Sequence, residues 1–596
     1  MSNRFEDISE IIDYVIGSES ELSDLSSDDE VDEWQPPGDD SQVAKQHDDN
    51  MDIPATIPDD EGTSIDHRAT VSEEVPHGST ARRKEKPKNL YKFDKRRAFV
   101  PPSNLEFTDA PLQPEPKDDS PYNYFKYFVT SNMFEYLAEE SNHYAHQKAG
   151  FSLQASACEL ETFVGLFFHM GLVQMPAVGC YWETYIHYNP IADVMSRQRF
   201  QKLASYMHIA NNLTVTEENK NDKVWKIRRW CDDLNSNFLK VSPSENQCID
   251  EVMVAFKGRS ILKQYLPKKP RKWGFKLWAR CSSTGFLHVF DIYQGKNART
   301  EEESSVSGCG LGGNVVLKLC STLPTERNFK VFADNFFSNF EMVAELERRG
   351  LHYVGTINNN RLHGAPLKSE KELKKQGRGS EDSVVETTRN LSLVRWYDNK
   401  CVTMISSYIG NQDGNNVQRY DRSKKQHISV NQPSIIAVYN KSMGGVDLMD
   451  MLCSLYKYKL RSKRWYIYIF YHTLTIALVN AWLLYRRDCK ILNIRAMPLR
   501  KFQAMVAFAL CNVNKPQRGR RSIESARKKR KKSVNPAPVE DVQFDGVDHL
   551  PIYAEKRQRC RKCTDGFSLV MCGKCKVHLC LNKNRNCYTA YHRKTC

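Results

Sequence analysis

The chain has 596 residues and a formal net charge of +14. That average joins two opposed parts: residues 1–80 hold 23 Asp/Glu against 3 Lys/Arg, a net of −20, which leaves +34 on the remaining 516. A body this basic points to a polyanion, most simply nucleic acid. The opening MSNRFEDISEII has neither the basic start nor the apolar core of a secretory signal, and eleven of the 18 cysteines are scattered, so a reduced intracellular protein is expected rather than a disulfide-built secreted one.

The acidic head is rich in Ser, Asp and Glu and poor in aromatics, as in 26–30 (SSDDE), and buries too little apolar surface to order itself. Disorder is expected over 1–119, with the head either a solubilising tail or a competitor with nucleic acid for the basic body. Its Ser/acidic runs suit an acid-directed kinase, and a basic stretch at 82–88 ends it. From about 120 to 515 aromatic and apolar residues are spread throughout, and about 400 residues exceed one core, so two or more domains are expected.

Residues 246–360 read as an ordered series. Strands are expected at 247–256, 274–282 and 285–293, then a helix at 313–323, a short strand at 329–333, a helix at 339–349 and a strand at 353–357. Three strands, helix, strand, helix, strand is the order of an RNase H-like α/β core. In that arrangement a carboxylate on the first strand and one ending the fourth become neighbours, and Asp250 and Asp334 are so placed. A two-metal site generally wants a third carboxylate, and Asp447 offers one, following Gly444-Gly445 at the start of a helical stretch that runs through Asp450. The gap from Asp334 to Asp447 is too long for one strand and one helix, so residues 361–430, charged and strand-rich, are expected as an inserted β-rich domain.

Residues 465–485 (WYIYIFYHTLTIALVNAWLLY) are long enough to span a bilayer. They contain His472, Thr473, Thr475 and Asn480, and a lone span with zinc ligands and a nuclear-type signal downstream suits a membrane protein poorly. A helix buried on all sides is expected instead, with no membrane partner. Residues 516–555 read as a basic linker, and 518–521 (RGRR) with 527–532 (RKKRKK) as a nuclear localisation signal, which implies a nuclear import receptor and residence in the nucleus.

Seven cysteines fall in 560–596. Two CxxC pairs with further Cys and His are a strong zinc signature, because each CxxC turn supplies two soft ligands of a tetrahedral ion. Eight ligands fill two closed structural sites. The expected cross-brace is Cys560, Cys563, Cys580 and Cys587 on one zinc, and Cys572, Cys575, His592 and Cys596 on the other, with His578 as a rival ligand, in a module spanning 556–596. The eight residues between Cys563 and Cys572 are short for a RING-type module.

Several stretches together resemble the piggyBac family of transposases: IDEVMVAFKGR at 249–259, YLPKKP at 265–270 with WGFK at 273–276, ADNFFS at 333–338, Tyr439-Asn440 with MGGVD at 443–447, Lys463-Arg464-Trp465, and the closing cysteine module. The resemblance implies a Mg²⁺-dependent DDE/D recombinase with two Mg²⁺ on Asp250, Asp334 and Asp447, and Asp450 as an accessory acid. It implies DNA contacts by Arg461, Lys463, Arg464 and Trp465, and by Lys268, Lys269, Arg271 and Lys272. It also implies excision through hairpin ends, insertion at TTAA and a zinc module that binds the element's ends. A split, mainly α-helical domain at 120–245 and 458–515 would mediate homodimerisation and double-stranded DNA binding around a core at 246–360 and 431–457. A domesticated copy that binds DNA without transposing would keep the same carboxylates.

Overall fold

The computed structural model describes residues 91–213, 221–267, 269, 271–295, 306–412, 414–421, 424–512, 538, 540–563 and 565–593. These fall in two compact units, Met1–Val513 and Asn514–Cys596. Residues 1–80, the runs 518–521 and 527–532, Lys268 and Cys596 lie outside the described residues.

The first unit is built on a ten-stranded sheet of β1 (Phe93–Asp94), β2 (Asn246–Ala255), β3 (Gln264–Tyr265), β4 (Trp273–Ser282), β5 (Leu287–Ile292), β6 (Lys330–Ala333), β7 (His352–Thr356), β8 (Glu381–Glu386), β9 (Leu391–Tyr397) and β10 (Cys401–Ser406). Its order is β1-β8-β9-β10-β7-β6-β2-β4-β3, with β5 also paired to β4. The inner five strands therefore lie as β5-β4-β2-β6-β7. β4 runs antiparallel to both β5 and β2, while β2, β6 and β7 run parallel. Parallel strands need both faces covered. On one face, Val316 and Val343 of the helices Gly310–Cys320 and Phe340–Arg348 pack with Ile249, Val331 and Ala333. On the other, Ile435 and Ile436 of the helix Ser434–Ser442 pack with Phe332, Val354 and Met404.

The β2–β5 end of that second face is covered by a helical body, in which the helices Pro121–Phe128, Ala157–Leu172 and Trp225–Phe238 share one core with Trp465–Ile491 and Leu499–Leu510. The long apolar helix Trp465–Ile491 is a core element, with 94% of its most apolar window buried. Thr473 and Asn480 have partners inside. Thr473 Oγ1 accepts from Trp230 Nε1 at 2.8 Å, and Asn480 exchanges two hydrogen bonds with the backbone of Leu287 on β5.

Three expected boundaries are corrected. Residues 91–119 are ordered on the first unit rather than disordered: β1 pairs with β8, Tyr91 donates to Glu341 at 2.9 Å, and Phe107 packs on Phe329. The aromatics at 91, 93, 99 and 107 supply burial that the head's average composition hides. Residues 361–430 do not form a body of their own. β10 pairs antiparallel with β7, and β9 and β8 follow outward, so most of this stretch extends the core sheet, because an open strand edge is a template for the next strand. Only β11 (Asn415–Asp421) and β12 (Gln426–Gln432) stand apart, as a two-stranded ribbon. Finally, 540–555 is not linker. The helix Glu540–Gln543 and β13 (Pro551–Arg559), which pairs with β14 (Phe567–Cys572), belong to the second unit.

Candidate active site and metal centres

The last register pair between β2 and β6 is Ile249 with Ala333, and the next residue on each chain is an aspartate, Asp250 and Asp334. Parallel neighbours lie about 4.8 Å apart, and side chains alternate, so both carboxylates leave the face that carries Cys248 and Phe332. β6 stops at Ala333 while β2 runs on to Ala255, which opens the sheet beside Asp250.

The helix Gly445–Leu455 closes over this opening. The Cys248 thiol donates to the Ser442 carbonyl, and a Cβ on Gly445 would stand 2.3 Å from the Ser282 carbonyl oxygen and 3.0 Å from Cys248 Sγ. Only glycine permits that approach, and it sets Asp447 in the first helical turn, exposed, where the helix dipole favours negative charge. Asp450 is exposed three residues on, along the same face.

Burial, reinforced by the Glu251 carboxylate, pushes Asp250 up to about 8, against the pull of Lys269 and of the Glu251 N–H that Asp250 Oδ1 accepts at 2.7 Å. Burial raises Asp334 as well, opposed by the Phe336 N–H at 2.8 Å. Lys269 sits among these acids, its Nζ 3.5 Å from Glu251 Oε1; burial works against its charge, but Asp250, Glu251 and Asp447 outweigh it and raise its pKa. Among the described residues, the groups of three or more ligand side chains with all donor atoms within 4.8 Å lie in the second unit.

The expected DNA contacts divide. Arg271, Lys272, Arg461 and Lys463 are exposed, and Lys269 is half-buried at the acids. Trp465 starts the long helix and packs on Phe275 at 6.0 Å between ring centroids. Arg464 is turned inward, its guanidinium donating to the carbonyls of Met207 and Ala204 at the end of the helix Arg197–Tyr206. It braces that helix end, because those carbonyls lack helical partners.

In the second unit two ligand groups interleave along the chain: Cys560, Cys563, Cys580 and Cys587, and His549, Cys572, Cys575 and His592. Cys563 and Cys580 sulfurs are 3.8 Å apart. Two thiolates at about 2.3 Å from a tetrahedral zinc are separated by about that distance. His549 Nδ1 is 3.4 Å from both Cys572 and Cys575 Sγ, and its Nε2 faces Asp545 at 3.0 Å, a carboxylate that orients the ring as ligand histidines require. The first expected group is as read from the spacing. In the second, His549 joins Cys572, Cys575 and His592, while Cys596 lies outside the described residues. His578 is excluded from both groups, its Nδ1 2.9 Å from the Ser568 carbonyl.

The family model described as Transposase IS4 matches residues 120–482. Human PiggyBac transposable element-derived protein 2 is 31% identical over 450 residues, covering 74% of this chain and 72% of that protein. The chain belongs to the piggyBac transposase family. Human PiggyBac transposable element-derived protein 3 is 30% identical over 553 residues, 91% of this chain and 87% of its own. Among solved structures, the cryo-EM structure of a piggyBac transposase synaptic complex with hairpin DNA superposes with a TM-score of 0.58 at 20% identity, covering 79% of this chain and 98% of that one. At that identity the likeness is one of fold, a mixed α/β architecture of the piggyBac kind.

Some residues around the site of this piggyBac family member are not singled out by sequence reasoning. Arg361 donates to the carbonyls of Phe336 and Ser338 and so holds the loop after Asp334. Lys276 is 8% exposed, its ammonium 3.9 Å from the Trp278 ring centroid and 4.7 Å from that of Phe336, facing the acids; burial lowers its pKa. Glu251 could have been suspected from its place beside Asp250. His549 could have been found by continuing the ligand count upstream of Cys560.

Proposed function

We propose that this chain is a DNA transposase of the piggyBac type, excising by cut and paste through hairpin ends and inserting at TTAA. One observation carries the reading: Asp250 and Asp334 follow the last paired residues of two parallel strands, and Gly445 brings the Asp447 helix down beside them. Their oxygens are hard donors suited to Mg²⁺, and the burial that raises the pKa of Asp250 and Asp334 disfavours their bare charges, which a bound cation would offset. Two Mg²⁺ held by Asp250, Asp334 and Asp447 would supply charge neutralisation at the scissile phosphate and the departing 3′ oxygen. Asp450 is the accessory acid on the same helix. Lys269 and Lys276 keep the acidic group from repelling the DNA backbone outright. The exposed Arg271, Lys272, Arg461 and Lys463 contact backbone phosphates, with an affinity that falls as salt rises. Two structural zinc ions fold the C-terminal unit, which binds the element's ends. The protein acts as a homodimer in the nucleus, brought there by an import receptor that reads the basic runs.

The names of the human relatives, transposable element-derived, favour a second reading: a domesticated DNA-binding protein without transposition. One experiment separates them. Purified protein is given duplex carrying the terminal repeats found in the gene's flanks, with Mg²⁺. Wild type nicks the ends; Asp250→Ala, Asp334→Ala and Asp447→Ala bind but do not nick. A triad variant that still nicks refutes the assignment, and a wild type that binds without nicking selects the second reading.

A further inference from the structure

His472 is an anomaly inside the long apolar helix. It is 1% exposed, its Nδ1 is 2.8 Å from Lys457 Nζ, and its Nε2 has no hydrogen-bond partner. An ammonium only donates, so Nδ1 accepts and the proton sits on the buried, unpartnered Nε2. Burial, with Lys457 and Arg271 nearby, keeps the imidazole neutral and its pKa well below the usual value. A buried donor left unpaired is unfavourable and calls for an explanation.

The backbone beside Lys457 is clamped with equal care. A Cβ on Gly171 would stand 2.2 Å from the Tyr456 carbonyl oxygen, so glycine lets that strand of chain press on the helix Ala157–Leu172. The buried Gln503 donates to the Tyr456 carbonyl at 3.2 Å, and Gln174 donates to the Lys457 carbonyl at 3.2 Å. The end of the helix Ala157–Leu172 and the helix Leu499–Leu510 thus hold the chain, and His472 holds the side chain. A lysine on four flexible bonds would otherwise sweep a wide volume. Lys457 lies two residues past the helix Gly445–Leu455 that carries Asp447 and Asp450. It is the first charge that Asp450 feels, with Arg271 next; Lys457 in turn feels both, and burial lowers its pKa.

We propose that Lys457 is a binding position for a DNA backbone phosphate at the edge of the acidic group, aimed by His472 as its positioning residue. The cation held by His472 has further donors to offer an anion, and the exposed Arg271 is among its charged neighbours. A fixed cation holds the duplex in one register against Asp447 and Asp450, which a mobile surface lysine would not. This rests on the reading of the chain as a DNA-handling enzyme.

The test is the salt dependence of binding of a short fluorescent duplex to the full-length protein, by anisotropy. Each phosphate contact contributes about 0.9 to the slope of log affinity against log salt. Lys457→Met is expected to be shallower than wild type by about that amount, and Lys457→Arg to keep the slope. His472→Phe is expected to lose the same amount, the double variant nothing further, and His472→Gln, whose side-chain oxygen can accept in place of Nδ1, to keep the wild-type slope. A wild-type slope in Lys457→Met overturns the phosphate position, and a wild-type slope in His472→Phe overturns the positioning. Should a variant fail to fold, amine acylation of the wild type decides: Lys457 must lose reactivity when duplex binds, and unchanged reactivity overturns the proposal. A wild type whose binding ignores salt would instead bring down the DNA-handling reading itself.

Discussion

Replacing Asp250 by Asn is expected to make the protein more stable while ending cleavage. The change keeps size, and an amide oxygen can still accept the Glu251 N–H. It removes a carboxylate that burial and the Glu251 charge hold at about 8 instead of 3.8. Asp250 is thus a group whose folded pKa is raised. Its contribution is intact below the unfolded value near 3.8 and is lost as pH rises through about 8, because the folded state resists releasing the proton. The window spans some four pH units, and at about 1.4 kcal/mol per unit the ceiling is about 6 kcal/mol. Relaxation of Lys269 and Glu251 and water entry bring the expected difference to about 2–3 kcal/mol at its plateau. Urea unfolding of wild type and Asp250→Asn without metal, followed from acid to pH 9, reads it directly. The curves should coincide in acid and diverge up to about pH 8, with the variant above. Mg²⁺ should then raise wild type more than the variant, since only the wild type keeps all three proposed ligands. A variant less stable than wild type at pH 8, or a gap that narrows with rising pH, would refute the reasoning.

Two more predictions separate the sequence reading from the folded site. His549→Ala should lower bound zinc from about two per chain to about one and loosen the C-terminal unit, whereas Cys596→Ser should keep two; metal analysis with the opposite pattern returns the ligand to Cys596. Arg464→Ala should lose about 1–3 kcal/mol in denaturant melts, because two helix-end carbonyls lose their charged donor, and should leave the salt slope of DNA binding unchanged. A slope shallower by about 0.9 with unaltered stability would make Arg464 a phosphate contact after all.

The strands at β2, β4, β6 and β7 and their aspartates were legible because strand order, apolar runs and turn residues are local properties, and a parallel pair sets its end residues side by side. The CxxC knuckles were legible for the same reason, since ligands three residues apart share one turn. Other features lay in contacts between residues far apart in the chain. β10 took the free edge of β7, which no periodicity marks, so the expected inserted domain became part of the core sheet. Arg464 reads as one more cation in a basic stretch until the carbonyls of Ala204 and Met207, over 250 residues upstream, take its donors. His549 precedes the cysteine pattern and joins it only because β13 folds back along β14. His472 looks like a polar flaw in an apolar helix until Lys457 is seen against its Nδ1. The sequence by itself determined which segments are strands, helices and metal knuckles, because those follow from backbone geometry over a few residues. The tertiary structure alone decided which charged and polar side chains face the site and which are spent inside, because a buried donor or acceptor must find its partner wherever the fold brings one.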